Sequence, residues 1–159
     1  MAYPNQYPNH SGRNEKAAFG NRPRPEPRQP RVIVAEEVPE NYVDCAEKVM
    51  EQEMKQKSKS ITTSKLRNLM SLLVDAFNVE NRRTEESITP QSQAALLQMR
   101  VRLAYEYGRG NDRFKDFLEH SKLQEYLKGT GNNRQKFINL FHYVEALVAY
   151  HKYYGGEEN

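Results

Sequence analysis

The chain has 159 residues, a formal net charge of +3 and a single cysteine, Cys45. This length suits one domain with a tail, and one cysteine excludes an intrachain disulfide and the cysteine-rich zinc sites. Because no apolar run approaches the roughly 20 residues of a membrane span, and the N-terminus lacks a secretory signal, we expect a soluble, cytoplasmic protein. The small net charge indicates that any contact with nucleic acid is local, shared with other subunits, or weak in isolation.

The first part of the chain is rich in proline. Seven of the eight prolines lie between Pro4 and Pro39, among many Asn, Arg and Gln residues. Such a segment buries too little apolar surface to offset its ordering entropy, so we predict a disordered tail over residues 1–38. Its basic residues fit either a solubilising leader or an arm that touches RNA or a neighbour. Within it, RVIVAEEV near Val32 to Val38 is a candidate for a short strand on a partner.

Residues 39–156 show apolar periodicity of 3.6 residues and predict an all-α, compact bundle of about five helices. The first helix follows Pro39, with Asn41 as a candidate N-cap. The second begins in ITTSK, where Thr62 or Thr63 can cap it. The predicted core stripes are Val43, Ala46, Met50 and Met54 in the first helix, and Leu66, Leu69, Met70, Leu73, Ala76 and Phe77 in the second.

A third helix is predicted from Thr89-Pro90, a cap residue followed by proline at the first helical position, to about Gly108. Its apolar residues form two sets on nearly opposite sides, with Ala94, Leu97, Val101 and Ala104 in one set and Leu96, Leu103 and Tyr107 in the other. A helix that is apolar on two sides is either central in its own bundle or pressed against another chain. Both alternatives stay open from the sequence.

Two further helical regions complete the predicted bundle. Residues 111–128 form a shorter region that Ser121 can split in two, and a turn follows at residues 129–132. The last helix carries an apolar stripe that includes His151 and ends at Gly155-Gly156. No segment alternates at period two for long enough to predict a strand.

The sequence contains no pattern specific to catalysis, a metal ion or a cofactor. His142 and His151 face opposite ways on one helix, so they cannot converge on a metal. We predict that His151 is packed and hydrogen-bonded and that His120 is exposed. A nucleophile elbow, a P-loop and a carboxylate cluster are all absent from the sequence. We therefore predict a protein that is not an enzyme and has no cofactor. The rival hypothesis of a small nuclease predicts metal-dependent cutting that is lost on changing His142 or His120.

Basic side chains and tyrosines are the features that favour contact with RNA. Arg102 and Arg109 share a face of the third helix and can reach solvent or a phosphate. Lys65 and Arg67 flank the core stripe of the second helix, and Arg134 lies near the start of the last helix, where backbone N–H groups favour an anion.

The last helix also carries Lys136, Tyr143, Tyr150 and Tyr154 in one line beside its core stripe. A cation followed by aromatic rings is suited to backbone contact and base stacking on RNA. The alternative is a solvated cationic face with packed tyrosines, in a protein-interaction module that binds no nucleic acid.

Three segments, ITTSKLRNLMSLL, MRVRLAYEYGR and FINLFHYVEALVAYHKYYGG, together resemble the small subunit of the type III-A CRISPR complex, the Csm-type effector. The resemblance covers about residues 40–156, and YVEALVAYHKYYGG is its most specific motif. It implies an all-helical subunit that stacks in several copies beside the backbone subunits holding the guide RNA. It also implies that basic side chains line the guide–target duplex, chiefly the target strand, and that neighbouring subunits perform all cleavage.

By motif position, the resemblance implies RNA contact for five basic residues, Lys65, Arg67, Arg100, Arg102 and Arg109. To these we add Arg134, Lys136 and Lys152 as further expected contacts. We therefore expect a non-catalytic, RNA-contacting subunit of a ribonucleoprotein in antiviral defence. Its expected partners are the guide RNA–target RNA duplex, other copies of itself, and the backbone and large subunits, without a membrane. The alternative is a purely architectural helical subunit that contacts only protein.

Overall fold

The structure is a computed structural model that describes residues 31–56, 61–110 and 112–158. Within these ranges the chain forms helices and no strand, which confirms the all-α prediction. The elements are α1 (Tyr42–Lys55), α2 (Thr63–Glu80), α3 (Pro90–Arg109), α4 (Asp112–Ser121), α5 (Leu123–Thr130) and α6 (Arg134–Tyr153). The predicted split at Ser121 is confirmed, because α4 ends there and Lys122 adopts a left-handed conformation with φ of 51°.

The core of the fold lies around α6, which packs against α1, α2 and α5. Phe137, Leu140, Val144 and Leu147 of α6 are buried. Full burial of each such side chain contributes about 1.5–3 kcal/mol to folding. The helix α2 lies against both α6 and α3, and this arrangement places a surface groove between α2 and α3.

Side-chain caps fix the starts of three helices, two of which the sequence predicted. The hydroxyl of Thr62 accepts a hydrogen bond from the Lys65 N–H at 3.2 Å, and that of Thr89 accepts one from the Ser92 N–H at 3.1 Å. Asn133 caps α6 in the same way. Asn41 is the N-cap residue of α1, as predicted, but its side chain makes no cap hydrogen bond. Its Oδ1 instead faces the Cys45 Sγ at 3.8 Å.

Burial differs from the predicted stripes on α1 and α3. The buried face of α1 contains Val49 and Glu53, whereas the predicted core residue Val43 is exposed. On α3 the core side is Leu96, Met99 and Leu103. The other predicted stripe, Ala94, Leu97, Val101 and Ala104, is exposed. The alternative that this stripe is buried within the bundle is therefore wrong, because α2, α4 and α5 pack against the other side of α3. The alternative that the stripe contacts another chain remains a prediction.

The predicted disordered tail falls mostly on residues 1–30, which lie outside the described residues. Residues 32–38 are extended and lie against α5, where the Glu36 N–H donates to the Glu125 carbonyl at 3.2 Å. Lys122 Nζ contacts the Glu36 carboxylate at 2.7 Å, and Lys128 Nζ donates to the Ile33 carbonyl at 2.7 Å. The candidate strand is thus an extended segment on the chain's own surface.

His151, in the last turn of α6, contacts the start of α2. Its ring is fully buried, with Nε2 3.1 Å from the Ile61 carbonyl oxygen and Nδ1 2.9 Å from the Thr63 hydroxyl. Because a carbonyl only accepts, Nε2 carries the proton and Nδ1 accepts from Thr63. The prediction of a packed, hydrogen-bonded histidine is confirmed.

Candidate nucleic-acid interface

Three of the predicted RNA-contacting side chains surround one buried carboxylate, that of Glu106. Lys65 Nζ lies 3.3 Å from Glu106 Oε2, Arg102 Nη2 lies 3.2 Å from Oε1, and Arg109 Nε lies 3.6 Å from Oε2. Glu106 is 3% exposed, whereas Arg102 and Arg109 are largely exposed. We call these four residues the Glu106 cluster. With three cations and one carboxylate, it has a formal charge of +2.

Two helices position the cluster. Lys65 comes from the capped first turn of α2, and the other members come from the last two turns of α3. Arg102 and Arg109 lie four residues before and three residues after Glu106, which places all three on one helix face. Lys65 is held from a second side, since its Nζ lies 3.7 Å from the centre of the Phe114 ring.

Tyr105 extends this surface with an exposed aromatic ring. The ring is 58% exposed, and the Arg109 guanidinium lies 5.5 Å from its centre. A hydrogen bond with Tyr105, followed by attraction to Glu106, raises the pKa of Arg109, so its positive charge is secure. An exposed ring beside a guanidinium can stack on a nucleobase.

The cluster lies at one end of the groove between α2 and α3. This groove has a volume of about 550 Å³ and is lined by Asn68, Leu72, Gln98 and Tyr105 as well as by cluster residues. Polar amides, apolar side chains and cations therefore share one concave surface. Such a surface can contact both the sugar-phosphate backbone and the face of a base.

Arg67 and Lys152 form a second cationic pair, on a different side of α2. Both contact the Glu158 carboxylate, Arg67 Nη1 at 3.0 Å and Lys152 Nζ at 2.7 Å. The hydrogen bond from Lys152 is the largest cause that lowers the pKa of Glu158. The structure therefore separates Lys65 from Arg67, although they are two residues apart in the sequence.

The remaining predicted contacts are dispersed. Arg134 donates from Nε to the Glu85 carbonyl at 2.7 Å, which fixes the loop before α3. Lys136 pairs with Glu37, and Arg100 lines an apolar groove between α3, α5 and the extended segment. The structure does not bring these three residues to the Glu106 cluster.

The predicted line of tyrosines on α6 is not a continuous surface. Tyr143 is buried, and its hydroxyl donates to the Ser121 carbonyl at 2.7 Å. The prediction that Tyr143 stacks on RNA is therefore wrong, because α6 turns this position toward α4 and α5. The Tyr154 hydroxyl donates to Glu47 at 3.2 Å, and Tyr150 stacks on Tyr154.

Sequence reasoning missed two members of this interface, Tyr105 and Glu106. The spacing offered a signal for both. Tyr105 lies three residues after Arg102 and four before Arg109, and Glu106 lies four after Arg102 and three before Arg109.

The described part of the chain contains no group of three or more His, Cys, Asp or Glu residues that could hold a metal ion. His120 is exposed as predicted and lies 3.7 Å from the Glu53 carboxylate. Among the helices described, none is long and apolar enough to cross a membrane.

The described residues thus form a small all-helical domain with a groove lined in part by cations. The model of the family described as Csm2 Type III-A matches residues 36–157. The chain therefore belongs to the Csm2 family, the small subunit of the type III-A CRISPR complex, and the resemblance read from its motifs is confirmed.

Individual relatives of the chain carry the name Csm2. The chain is 33% identical over 116 residues to "CRISPR system Cms protein Csm2" of Mycobacterium tuberculosis, covering 73% of this chain and 93% of that protein. It is 34% identical over 122 residues to the Streptococcus thermophilus protein of the same name, covering 75% and 95%. The protein of that name from Enterococcus italicus is 30% identical over 96 residues, covering 59% and 68%.

Proposed function

We propose that this chain contacts the guide RNA–target RNA duplex, mainly its target strand, and stabilises target binding without cutting RNA. It acts in several copies within a cytoplasmic type III-A ribonucleoprotein of antiviral defence, beside the backbone and large subunits. The observation that carries the proposal is the Glu106 cluster, where cations from α2 and α3 share one exposed face.

The chemistry of the cluster suits phosphate more than bases. Arginine guanidinium groups and a lysine ammonium group bind phosphate oxygens through charge-assisted hydrogen bonds, and such contacts carry no sequence information. In a guided complex, base pairing between guide and target supplies the sequence specificity. A subunit that holds the duplex by its backbone therefore fits every guide.

The predicted residues divide into groups under this proposal. Lys65, Arg102 and Arg109 contact one stretch of backbone, and Arg67 with Lys152 contact a second. We propose that Arg100, Arg134 and Lys136 contact other phosphates along the RNA.

The net charge of +3 is small for a protein that holds nucleic acid alone. Several copies on one strand gain affinity through effective concentration, because each bound copy keeps the next site close to the RNA. Weak individual contacts and strong joint binding are then compatible.

The test is target-RNA binding by the reconstituted effector with a triple variant, Lys65→Ala, Arg102→Ala and Arg109→Ala. We expect target affinity to fall by roughly tenfold or more at low salt, with a weaker salt dependence, because phosphate contacts are lost. The matched control is Lys48→Ala, Lys55→Ala and Arg82→Ala, which removes the same charge from exposed positions on α1 and beyond α2.

The outcomes separate the two hypotheses. If the cluster variant assembles and binds poorly while the control binds normally, the chain holds RNA through the cluster. If the cluster variant binds target normally, or only assembly suffers, the architectural alternative replaces the proposal. Incubation of the purified chain with RNA and Mg²⁺ or Mn²⁺ tests the non-catalytic part, for which we expect no cleavage.

A further inference from the structure

Glu106 is an unexpected residue for a surface that binds a polyanion. It lies in the last turn of α3, where the helix dipole favours cations over carboxylates. It is also buried, and a buried carboxylate is destabilising unless it is paired and hydrogen-bonded. A neutral or apolar side chain would meet neither penalty, so the carboxylate requires a compensating role.

The contacts of Glu106 indicate that role. Its two oxygens face cations from α2 and from both sides along α3, at 3.2 to 3.6 Å. Without the carboxylate, the three cations would repel one another, and Arg102 in particular would sample many rotamers in solvent. With it, three flexible cations are held within a few ångströms of a single buried point.

We propose that Glu106 is a positioning residue that organises Lys65, Arg102 and Arg109 for binding one backbone phosphate group. This inference rests on the proposed function, since it names the group that prepares the same site. The RNA phosphate approaches the exposed sides of the three cations, while the buried carboxylate holds them from behind. Their rotamer entropy is then lost on folding rather than on RNA binding.

A simpler electrostatic view predicts the opposite result. If Glu106 only subtracts one charge from the surface, neutralising it strengthens RNA binding at every salt concentration. If Glu106 positions the cations, neutralising it weakens binding although the net charge becomes more positive. The sign of the change therefore separates the two views.

The experiment is target-RNA affinity of the reconstituted effector containing Glu106→Gln, measured across a salt series. We expect affinity to fall by roughly fivefold to tenfold, the cost of ordering one or two of these side chains only on binding. We also expect a shallower dependence of log affinity on log salt, because fewer phosphates are neutralised. Partial misfolding would reduce the active fraction without changing this slope.

Two controls accompany the variant. Glu51→Gln removes a carboxylate that pairs with Lys55 on α1, and it should leave affinity unchanged or slightly tighter. Glu106→Gln in the background of the triple cluster variant should have no further effect, because the cations it positions are gone. If Glu106→Gln does not fold, Glu106→Asp carries the test, since its shorter carboxylate cannot reach all three cations.

The results distinguish the inference from the proposed function. Normal binding by the triple cluster variant overturns the proposed function. Weak binding by the triple variant, with normal or tighter binding by Glu106→Gln and Glu106→Asp, overturns the positioning role alone. Weaker binding by Glu106→Gln that persists unchanged in the triple background also overturns it, because Glu106 then acts through other groups.

Discussion

Glu80 shows how a single residue can determine the shape of a loop. Its buried carboxylate accepts hydrogen bonds from the Thr89 N–H at 2.8 Å, the Ser92 hydroxyl at 2.6 Å and Arg83 Nη1 at 2.8 Å. The end of α2 is thereby tied to the start of α3 across the intervening polar loop. Because α2 and α3 form the two walls of the candidate interface, this carboxylate stabilises the position of one wall relative to the other.

We expect Glu80→Gln to lower the free energy of unfolding by about 2–3 kcal/mol near neutral pH, because charge-assisted hydrogen bonds are lost. Burial raises the pKa of Glu80, but hydrogen bonds from Ser92, Thr89 and Arg83 outweigh it, so the pKa is lowered in the folded state. The stabilisation is therefore present above the unfolded pKa of about 4.5 and is lost as the pH falls through the lower folded pKa.

Urea unfolding of the wild type and of Glu80→Gln at pH 7 and at a series of pH values below 4.5 measures this difference. The two stabilities should converge progressively as the pH falls through the folded pKa of Glu80. The control is Glu145→Gln, whose side chain is 59% exposed and should show little difference at either pH. A difference that stays constant with pH would contradict the role of the ionised carboxylate.

At the scale of elements, α5 holds the extended segment 32–38 through an unusually close backbone approach. A side chain built at Gly129 would overlap the Glu36 backbone. Glycine therefore lets α5 and the segment come together, and the ion pair between Lys122 and Glu36 and the bond from Lys128 to Ile33 form around that contact.

We expect Gly129→Ala to detach residues 32–38 from α5, because the methyl group and the Glu36 backbone cannot occupy the same space. Amide hydrogen exchange should show faster exchange at Glu36 and new sensitivity to proteases in the segment. Gly108→Ala is the matched control, since a methyl group there meets no atom within 4 Å. It should leave the segment protected and stabilise α3 by up to about 1 kcal/mol. Unchanged protection at Glu36 in Gly129→Ala would contradict this account.

The elements also show what could be predicted from the sequence. Capping residues and periodic apolar residues predicted α2, the start of α3 and the division at Ser121, since these signals are local. The exposed stripe of Leu97 and Val101 was ambiguous because periodicity says which residues share a face but not which face meets the core. The burial of Tyr143 depended on the packing of α5 against α6 and on the Ser121 carbonyl at the end of α4, which spacing along one helix cannot show.

The sequence predicted the individual cationic residues of the candidate interface, but not which of them lie close together in the fold. Lys65 and Arg109 were identified as cations separately, on two different helices. Their convergence on Glu106 follows from how α2 packs against α3, a long-range feature of the fold. The separation of Arg67 from Lys65 was predictable, because residues two apart on a helix lie on opposite sides of its core stripe. The pairing of Arg67 with Glu158 was not, since it depends on where the end of the chain lies.

At the scale of the whole molecule, the fold is closed where α6 meets the start of α2. The N–H groups of Thr63 and Ser64 donate to the carbonyls of Glu157 and Glu158, at 2.8 and 3.1 Å. The His151 ring lies beneath these contacts, and a side chain at Gly156 would overlap it. One titratable ring thus links the first turn of α2, which carries Lys65, to the last turn of α6, and its protonation should affect the stability of the entire bundle.

We expect the free energy of unfolding to fall as the pH decreases below about 6.5, the ordinary pKa of histidine. Burial is the main cause that lowers the pKa of His151 in the folded state, where Nδ1 must stay unprotonated to accept from Thr63. The unfolded chain then binds a proton that the folded chain excludes, so this contribution is present above pH 6.5 and is lost toward the lower folded pKa. The slope from one proton is at most about 1.4 kcal/mol per pH unit.

Urea unfolding at pH 7.5, 6.5 and 5.5 measures this slope. His151→Gln should be less stable at pH 7.5 and should lose this part of the pH dependence, while His120→Gln, changed at an exposed position, should keep it. A wild type and His151→Gln with parallel profiles over this range would assign the dependence to another group.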